Sequence, residues 1–295
     1  MNLGYACVNI GLSEMGVLTN KGMVRRTFNE KGIQYASLLT LQNVYGLLKV
    51  VEWNTQNNIN VFRITSDLFP WASEYKINKL PDFIEIRSVL EKIGNFSIRF
   101  SAHPGPFNKL AGTGETLKNT IKDLEHHSEI FDYMQLRSTH WNKINIHVGG
   151  MYGDKAETLR RFAQNFSKLS TRLQGRLTVE NDDKQSLYTV ADLLPLHQQT
   201  GIPIVFDYFH YRLHPGNQSE EEAFTTAYNT WDLKPVFHYS SSRKEMEDPS
   251  SKKEAHGDWI HEPINTYGKE VDIILEAKKK ELALAKYLQD FGTVT

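Results

Sequence analysis

Eight times along this chain a short apolar run of strand length gives way to a longer stretch with helical spacing. The strand-like runs fall at 3–8, 60–65, 97–102, 143–148, 176–180, 203–206, 235–239 and 271–275. Helices are expected over 38–57, where Leu41, Val44, Tyr45, Leu48 and Val51 share a face, and over 83–93 behind Pro81. Further helices are expected from the Gly/Pro-rich loop at 104–114 to about Arg137, over 155–172 and over 187–198 before Gly201. Another carries Glu220, Glu221 and Glu222 at its positive end, and the last runs from about 276 to 288. The chain has 295 residues, 40% of them hydrophobic, with no linker or low-complexity break. One α/β domain over 1–295, a single closed (β/α)8 TIM barrel, is the architecture this order predicts. A doubly wound open sheet is the alternative, but it collects its ligands at one switch point.

The strand-like runs end in, or lead straight into, metal-ligand side chains. FSAH carries His103, INIHV His147, LTVEN Glu180, VFDYFH Asp207 and His210, VFHYSS His238 and IILEA Glu276; His256 follows in a polar loop. Alone, each has an ordinary reading: His103 a strand cap, His147 a hydrogen-bonded core histidine, Glu180 a loop carboxylate. Together they are harder to dismiss, because a barrel puts all strand C-termini on one face. Acids and imidazoles gathered there without cations would repel one another or be left desolvated. Imidazole plus carboxylate without thiolate suits Zn, Mn, Fe or Co. Two or three such ions would polarise a phosphoryl oxygen, generate hydroxide near neutral pH and steady a leaving oxygen, so phosphodiester hydrolysis is the natural reaction. Sugar isomerisation on a two-metal barrel competes with it.

Composition narrows the partners. A net charge of −1 supplies no global field for nucleic acid, so any such binding rests on a local basic face. Arg25, Arg26, Lys109, Arg212, Arg243 and Lys244 are expected in mouth-side loops, whereas Lys278, Lys279 and Lys280 read as a wet helix face. The single cysteine, Cys7 in an apolar run, excludes an internal disulfide framework and fits a reducing, cytoplasmic setting. The opening MNLGYACVNI has no basic segment before an apolar one, and no run reaches membrane-span length. The polar loop at 241–266 is long enough to be functional or partly mobile.

At these residues the chain resembles the ultraviolet damage endonucleases, relatives of endonuclease IV among the xylose-isomerase-like barrels. The resemblance runs through most of the chain, on GYACVN at 4–9, RITSDLFPWAS at 63–73, AHPGPF at 102–107, IHVGG at 146–150, VENDD at 179–183, VFDYFHY at 205–211, HYSSSR at 238–243, AHGDWI at 255–260 and LEAKKKE at 275–281. It implies a metal-dependent DNA repair enzyme that nicks duplex DNA immediately 5′ to cyclobutane dimers and 6-4 photoproducts, leaving a 3′-hydroxyl and a 5′-phosphate. It also implies two or three divalent ions, Mn2+ first, with Zn2+, Co2+ or Mg2+ as alternatives. By the same resemblance His103, His147 and Glu180 hold one ion. Glu180 bridges to a second held by Asp207, His238 and Glu276, and His210 and His256 hold a third with Asp258 as helper. Catalysis would then depend most on Glu180, His238 and Glu276. Damage recognition would kink the duplex and extrude the modified nucleotides, with a wedge filling the gap. Pro106 and Phe107 stand where relatives carry a Gln-Tyr pair, and Tyr5 and Asn9 match residues that contact the lesion, against the plainer reading of a packing aromatic and a strand cap. The damaged duplex is the expected partner, near the nucleoid, with no obligate protein partner and no membrane.

Two further departures stand out. Relatives commonly have a lysine, carboxylated in some, two residues before the histidine of the seventh strand; here that position is Val236, with Lys234 two residues further back. A histidine of the second-strand loop is replaced by Glu74, which would serve as an oxygen ligand or be solvated. Three other functions stay open: an apurinic-site endonuclease of the endonuclease IV type, a metal-dependent sugar isomerase, and a damage-binding module without activity.

Overall fold

The computed structural model describes residues 1–292. Eight parallel strands run in the order β6-β5-β4-β3-β2-β1-β8-β7: β1 Leu3–Cys7, β2 Val61–Ile64, β3 Arg99–Ala102, β4 Ile144–Ile146, β5 Leu177–Glu180, β6 Ile204–Val205, β7 Val236–Tyr239 and β8 Asp272–Leu275. Each hydrogen-bonds its sequence neighbour except β6 and β7. There the ring is closed by a lone bridge between Asp207 and His238, with the His238 N–H donating to the Phe206 carbonyl at 3.0 Å. The result is a (β/α)8 barrel. Among the described residues no helix is long and apolar enough to cross a membrane.

The helices that cover the barrel are α1 Ile10–Glu14, α2 Arg25–Gln56, α3 Phe83–Gly94, α4 Gly114–Tyr133, α5 Lys155–Phe166, α6 Thr171–Gln174, α7 Val190–Thr200, α8 Tyr208–Leu213, α9 Glu220–Tyr228, α10 Arg243–Met246 and α11 Lys280–Phe291. Local chemistry explains their ends. Thr189 with Asp192 and Ser219 with Glu222 form capping boxes for α7 and α9, and Gly201 ends α7 at a φ of 74°. The helix expected over 155–172 is two, because Ser170 caps a new one and interrupts the spacing. Arg25 and Arg26, expected in a loop, open α2, which bends at Gly32 where φ is 61°. The last helix starts only at Lys280, so Lys278 and Lys279 lie in the approach to it rather than on its face.

Strand alternation sorts the side chains into two cores. Outward residues such as Phe62, Phe100, Val179 and Phe237 pack under the helices, while Ala6, Val61, Val236 and Ile274 form a small apolar plug inside the ring. Tyr5 points outward: its hydroxyl donates to the side-chain amide oxygen of Asn54 in α2 at 2.7 Å and the ring meets Phe62. At the barrel floor the buried Arg99 pairs with Asp272 at 3.1 Å, and Lys234 reaches the same carboxylate at 2.6 Å. Lys234 is therefore at the end of the barrel opposite the strand C-termini.

Gly4 of β1 marks the tightest approach in the ring, since a Cβ there would lie 2.0 Å from the Val61 carbonyl oxygen. Neither backbone can retreat without breaking the β1–β2 ladder. Gly4→Ala should cost about 1–3 kcal/mol, as overpacking of a dense core does, read as a lowered urea midpoint against wild type.

Candidate metal centre

The C-terminal ends of six strands deliver the centre. His103 and His147 directly follow β3 and β4, Glu180 ends β5, Asp207 caps α8 after β6, His238 lies in β7 and Glu276 directly follows β8. Three overlapping groups have ligand atoms within 4.8 Å of one another: His103, Glu180 and His238; His147, Glu180 and His210; and Asp207, His238 and Glu276. Glu180 sits at the hub. Its Oε2 lies 3.1 Å from His103 Nε2 and 3.2 Å from His238 Nδ1, and its Oε1 lies 3.2 Å from His210 Nδ1. His238 Nδ1 is also 3.3 Å from Glu276 Oε1. His256 stands at the edge, with Nδ1 3.9 Å from Glu276 Oε2, outside the three tight groups.

The donor set fits cations on a structural observation. Glu180 Oε1, Asp207 Oδ2, His238 Nδ1 and His256 Nδ1 are buried with no hydrogen-bond partner among the described residues. Buried polar atoms rarely stay unpaired unless an ion or water completes them. One ring nitrogen facing away is held: His103 Nδ1 is 3.2 Å from the Pro104 carbonyl oxygen. His147 Nδ1 lies 3.1 Å from Asp182 Oδ1 but, like the four atoms above, completes no hydrogen bond among the described residues. Such outer partners fix a ligand imidazole's tautomer and raise its basicity.

Burial and the neighbouring charges pull these groups in opposite directions. Burial alone would lower His147, but Glu180 and Asp182 outweigh it and hold the ring up to about 9. His210 is likewise held well above its ordinary value, by Asp207 and Glu180 against burial. Burial pushes Asp207 up to about 7, and the nearby Glu180 and Glu276 add to the push. Glu180 itself stays well below the usual carboxylate range, because the surrounding imidazoles overcome its burial. Burial lowers His103 and His256 and takes His238 to about 3, leaving three neutral, ligand-ready rings.

Side chains beneath and around this cluster carried no assignment from sequence. Arg63 of β2 pairs with Glu276, Asn145 of β4 donates to Glu180, and Lys143 reaches His238. The signal was present in VFRIT and NKINIHV, where polar residues alternate with apolar ones in strands that a barrel buries on both sides. Asn181 ties β5 to β6 by accepting from the Asp207 N–H at 2.8 Å. Val236 contributes only to the apolar plug.

Other nominated residues lie elsewhere. Tyr5 and Asn9, expected to touch a lesion, are 0% and 2% exposed. Tyr5 faces the helix layer, and Asn9 caps α1 while donating to the Tyr5 hydroxyl at 3.0 Å, so both serve packing and capping. Glu74 pairs with Arg25 at 2.8 Å, apart from the metal-capable groups. Asp258 pairs with Arg243 at 3.3 Å. Pro106 and Phe107 form an exposed loop tip, Phe107 being 87% exposed. The tip is braced by Asn108, whose amide donates to the Gly105 carbonyl and to Asp123 at 2.7 Å. Of the nominated basic residues, Arg26 pairs with Glu30 and Arg212 with Glu262, while Lys109 and Lys244 form no ion pair among the described residues. The 241–266 loop is pinned: Ser242 bridges His256, and Glu247 accepts from the backbone of Asp258 and Trp259.

Fold and site together define a TIM barrel with an imidazole–carboxylate centre at its C-terminal mouth. The chain matches the profile of the UV-endonuclease UvdE family over residues 1–295 and belongs to that family. It is 35% identical to the UV-damage endonuclease of Schizosaccharomyces pombe over 96% of this chain, though it spans only about half (49%) of that relative. It is 34% identical to the UV DNA damage endonuclease of Clostridium perfringens, over 100% of this chain and 71% of the relative. Among solved structures, SacUVDE superposes with a TM-score of 0.84 at 30% identity, covering 100% of both chains. Endonuclease IV from Thermus thermophilus shares the fold, with a TM-score of 0.57 at 14% identity over 99% of this chain and 97% of its own.

A divalent cation binding at His147 would compete with the proton that Glu180 and Asp182 favour on that ring. Apparent Mn2+ affinity should therefore rise from pH 6.5 to 8.5, by roughly tenfold per unit for each proton displaced. Asp182→Asn should weaken binding by roughly 10–100-fold and flatten that slope. Calorimetric titration at three pH values reads both; a flat profile would show that no proton is displaced.

Proposed function

We propose that this chain is a metal-dependent DNA repair endonuclease that nicks duplex DNA immediately 5′ to UV photoproducts, leaving a 3′-hydroxyl and a 5′-phosphate. The observation that carries the reading is the sharing of Glu180 and His238 among three metal-capable groups at one barrel mouth, below an exposed, braced aromatic loop. The names of the relatives, UV-damage endonuclease and UV DNA damage endonuclease, point the same way. We take the centre to hold two or three divalent ions, Mn2+ first. Bound there, they would supply a metal-activated water and charge stabilisation at the phosphate.

The chain's own residues carry the rest. Glu180 belongs to two of the three groups and so would serve both, with Asn145 fixing its orientation. His103, His147 and His210 would complete the side towards β3 and β4, with Asp207, His238 and Glu276 on the side towards β7 and β8. His256 would join from the pinned loop. Arg63 holds the Glu276 carboxylate from inside the barrel. Phe107 is the wedge: it can stack in the gap left by an extruded lesion, and the Asn108 brace spares it the ordering entropy of a free loop. Beside it lies a cavity of about 950 Å3 whose lining mixes Arg25, Lys109 and Lys122 with Asp67, Glu74 and Asp123. Extrusion costs least where a lesion already weakens stacking, which gives selectivity across chemically different photoproducts.

Purified protein with Mn2+ should nick irradiated duplex 5′ to the lesion, and Glu180→Ala or His147→Ala should bring incision below detection. Phe107→Ala should leave metal affinity unchanged and lower incision of a fully paired duplex more than of one with the lesion already unpaired. Parallel substrates bearing a dimer, a 6-4 product and an abasic site read the lesion range. Irradiated DNA left intact by metal-loaded wild type would sink the proposal.

A further inference from the structure

The loop that leaves β4 carries His147 and then Gly149, Gly150, Met151, Tyr152 and Gly153 before α5 begins at Lys155. Residues 151–154 form a tight turn, closed by the Asp154 N–H donating to the Met151 carbonyl at 3.1 Å. Both central residues have positive φ, 47° at Tyr152 and 90° at Gly153. Turns of that hand are ordinarily built from Asn, Asp or Gly, because a larger side chain is strained there. Here the strain is held in place: the Thr158 hydroxyl donates to the same Met151 carbonyl, and the Asp154 side chain caps α5. A bulky residue fixed at left-handed φ by its surroundings points to a task for its side chain.

That task is not packing. Tyr152 is 50% exposed and joins neither apolar cluster. The Arg161 guanidinium backs the ring, 5.0 Å from its centroid, while Arg161 Nε donates to the Ala111 carbonyl. Ala111 belongs to the loop after β3, the one that carries Phe107. Asn165 donates to the Leu110 carbonyl of that loop at 2.9 Å, and the Lys109 stem lies against Gly149, 2.9 Å from where a Cβ would stand. β3 and β4 are neighbours in the ring, so the two cross-braced loops sit side by side on the rim, each following a metal-capable histidine. Each presents one exposed aromatic ring.

Resting on the damage-endonuclease reading above, we propose that Tyr152 is a second stacking residue. Its ring takes the face of a nucleobase unstacked at the lesion, while Phe107 fills the gap in the duplex. Extruding modified nucleotides leaves neighbouring bases without a stacking partner. An aromatic face accepts any of them, because every base has a π-face. The contact needs no net charge, which suits a rim whose arginines are matched by acids.

Single-turnover incision of a dimer-bearing duplex by Mn2+-loaded protein tests this through its second-order rate. Tyr152→Asn, which suits the turn and removes the ring, should lower that rate roughly 5–150-fold, the range one base–aromatic stack covers. Tyr152→Phe should keep the wild-type rate, and Tyr152→Gly should match Tyr152→Asn, which separates the ring from backbone strain. In a second series an abasic residue replaces, in turn, each base opposite and beside the lesion. At one of these positions the losses from base removal and from Tyr152→Asn should not add, because both delete the same stack. Calorimetric titration should give Tyr152→Asn the wild-type Mn2+ affinity. A wild-type rate in Tyr152→Asn, additive losses at every position, or a parallel fall in Mn2+ affinity overturns the stacking role and leaves the endonuclease reading standing. Wild type that leaves the dimer-bearing duplex intact overturns that reading itself.

Discussion

The buried carboxylate of Glu180 is the interaction on which the site depends. An acid 1% exposed at the centre of a barrel is tolerable only if positive charge and hydrogen bonds surround it. Four histidines and Asn145 do so here, drawn from β3, β4, β7 and the start of α8. The surrounding carboxylates raise the proton affinity of two of the rings, His147 and His210, and would favour a divalent cation for the same reason. Proton occupancy and metal occupancy are therefore competing solutions to one electrostatic problem.

The barrel explains how such a cluster is kept in register. Parallel strands with fixed pairing place every C-terminal end on one rim, so residues 173 positions apart, His103 and Glu276, come to the same mouth. The weakest joint is also the functional one. β6 and β7 meet through a single bridge whose two residues, Asp207 and His238, both belong to the metal-capable set. Closing the ring and assembling the site are the same structural event at that joint.

The rim divides into rigid and electrostatically guarded parts. Phe107 stands out on a braced tip, whereas Arg25, Arg212 and Arg243 are each matched by a nearby acid. Under the proposed function a phosphate would have to displace those carboxylates, so the basic rim contributes less than its count of arginines suggests. Shape and stacking at Phe107 then carry more of the recognition, in keeping with a chain whose net charge is −1.

The amino-acid sequence alone determined the alternation of eight strands and their helices, and which strands end in imidazole or carboxylate, because periodicity and residue type are local properties. It also marked the exposed Pro106–Phe107 loop, since a Gly/Pro-rich segment cannot continue a strand or a helix. Tertiary structure alone decided which face of each strand a side chain takes. That is why Tyr5, near the mouth in sequence, turns towards α2, and why Lys143 and Arg63, which carried no assignment from sequence, turn inward beneath the cluster. It also separated Glu74 and Lys234 from the centre by giving each a nearer ion partner. The reason is physical: burial and pairing depend on what the other strands bring to the same point, and no single segment holds that information.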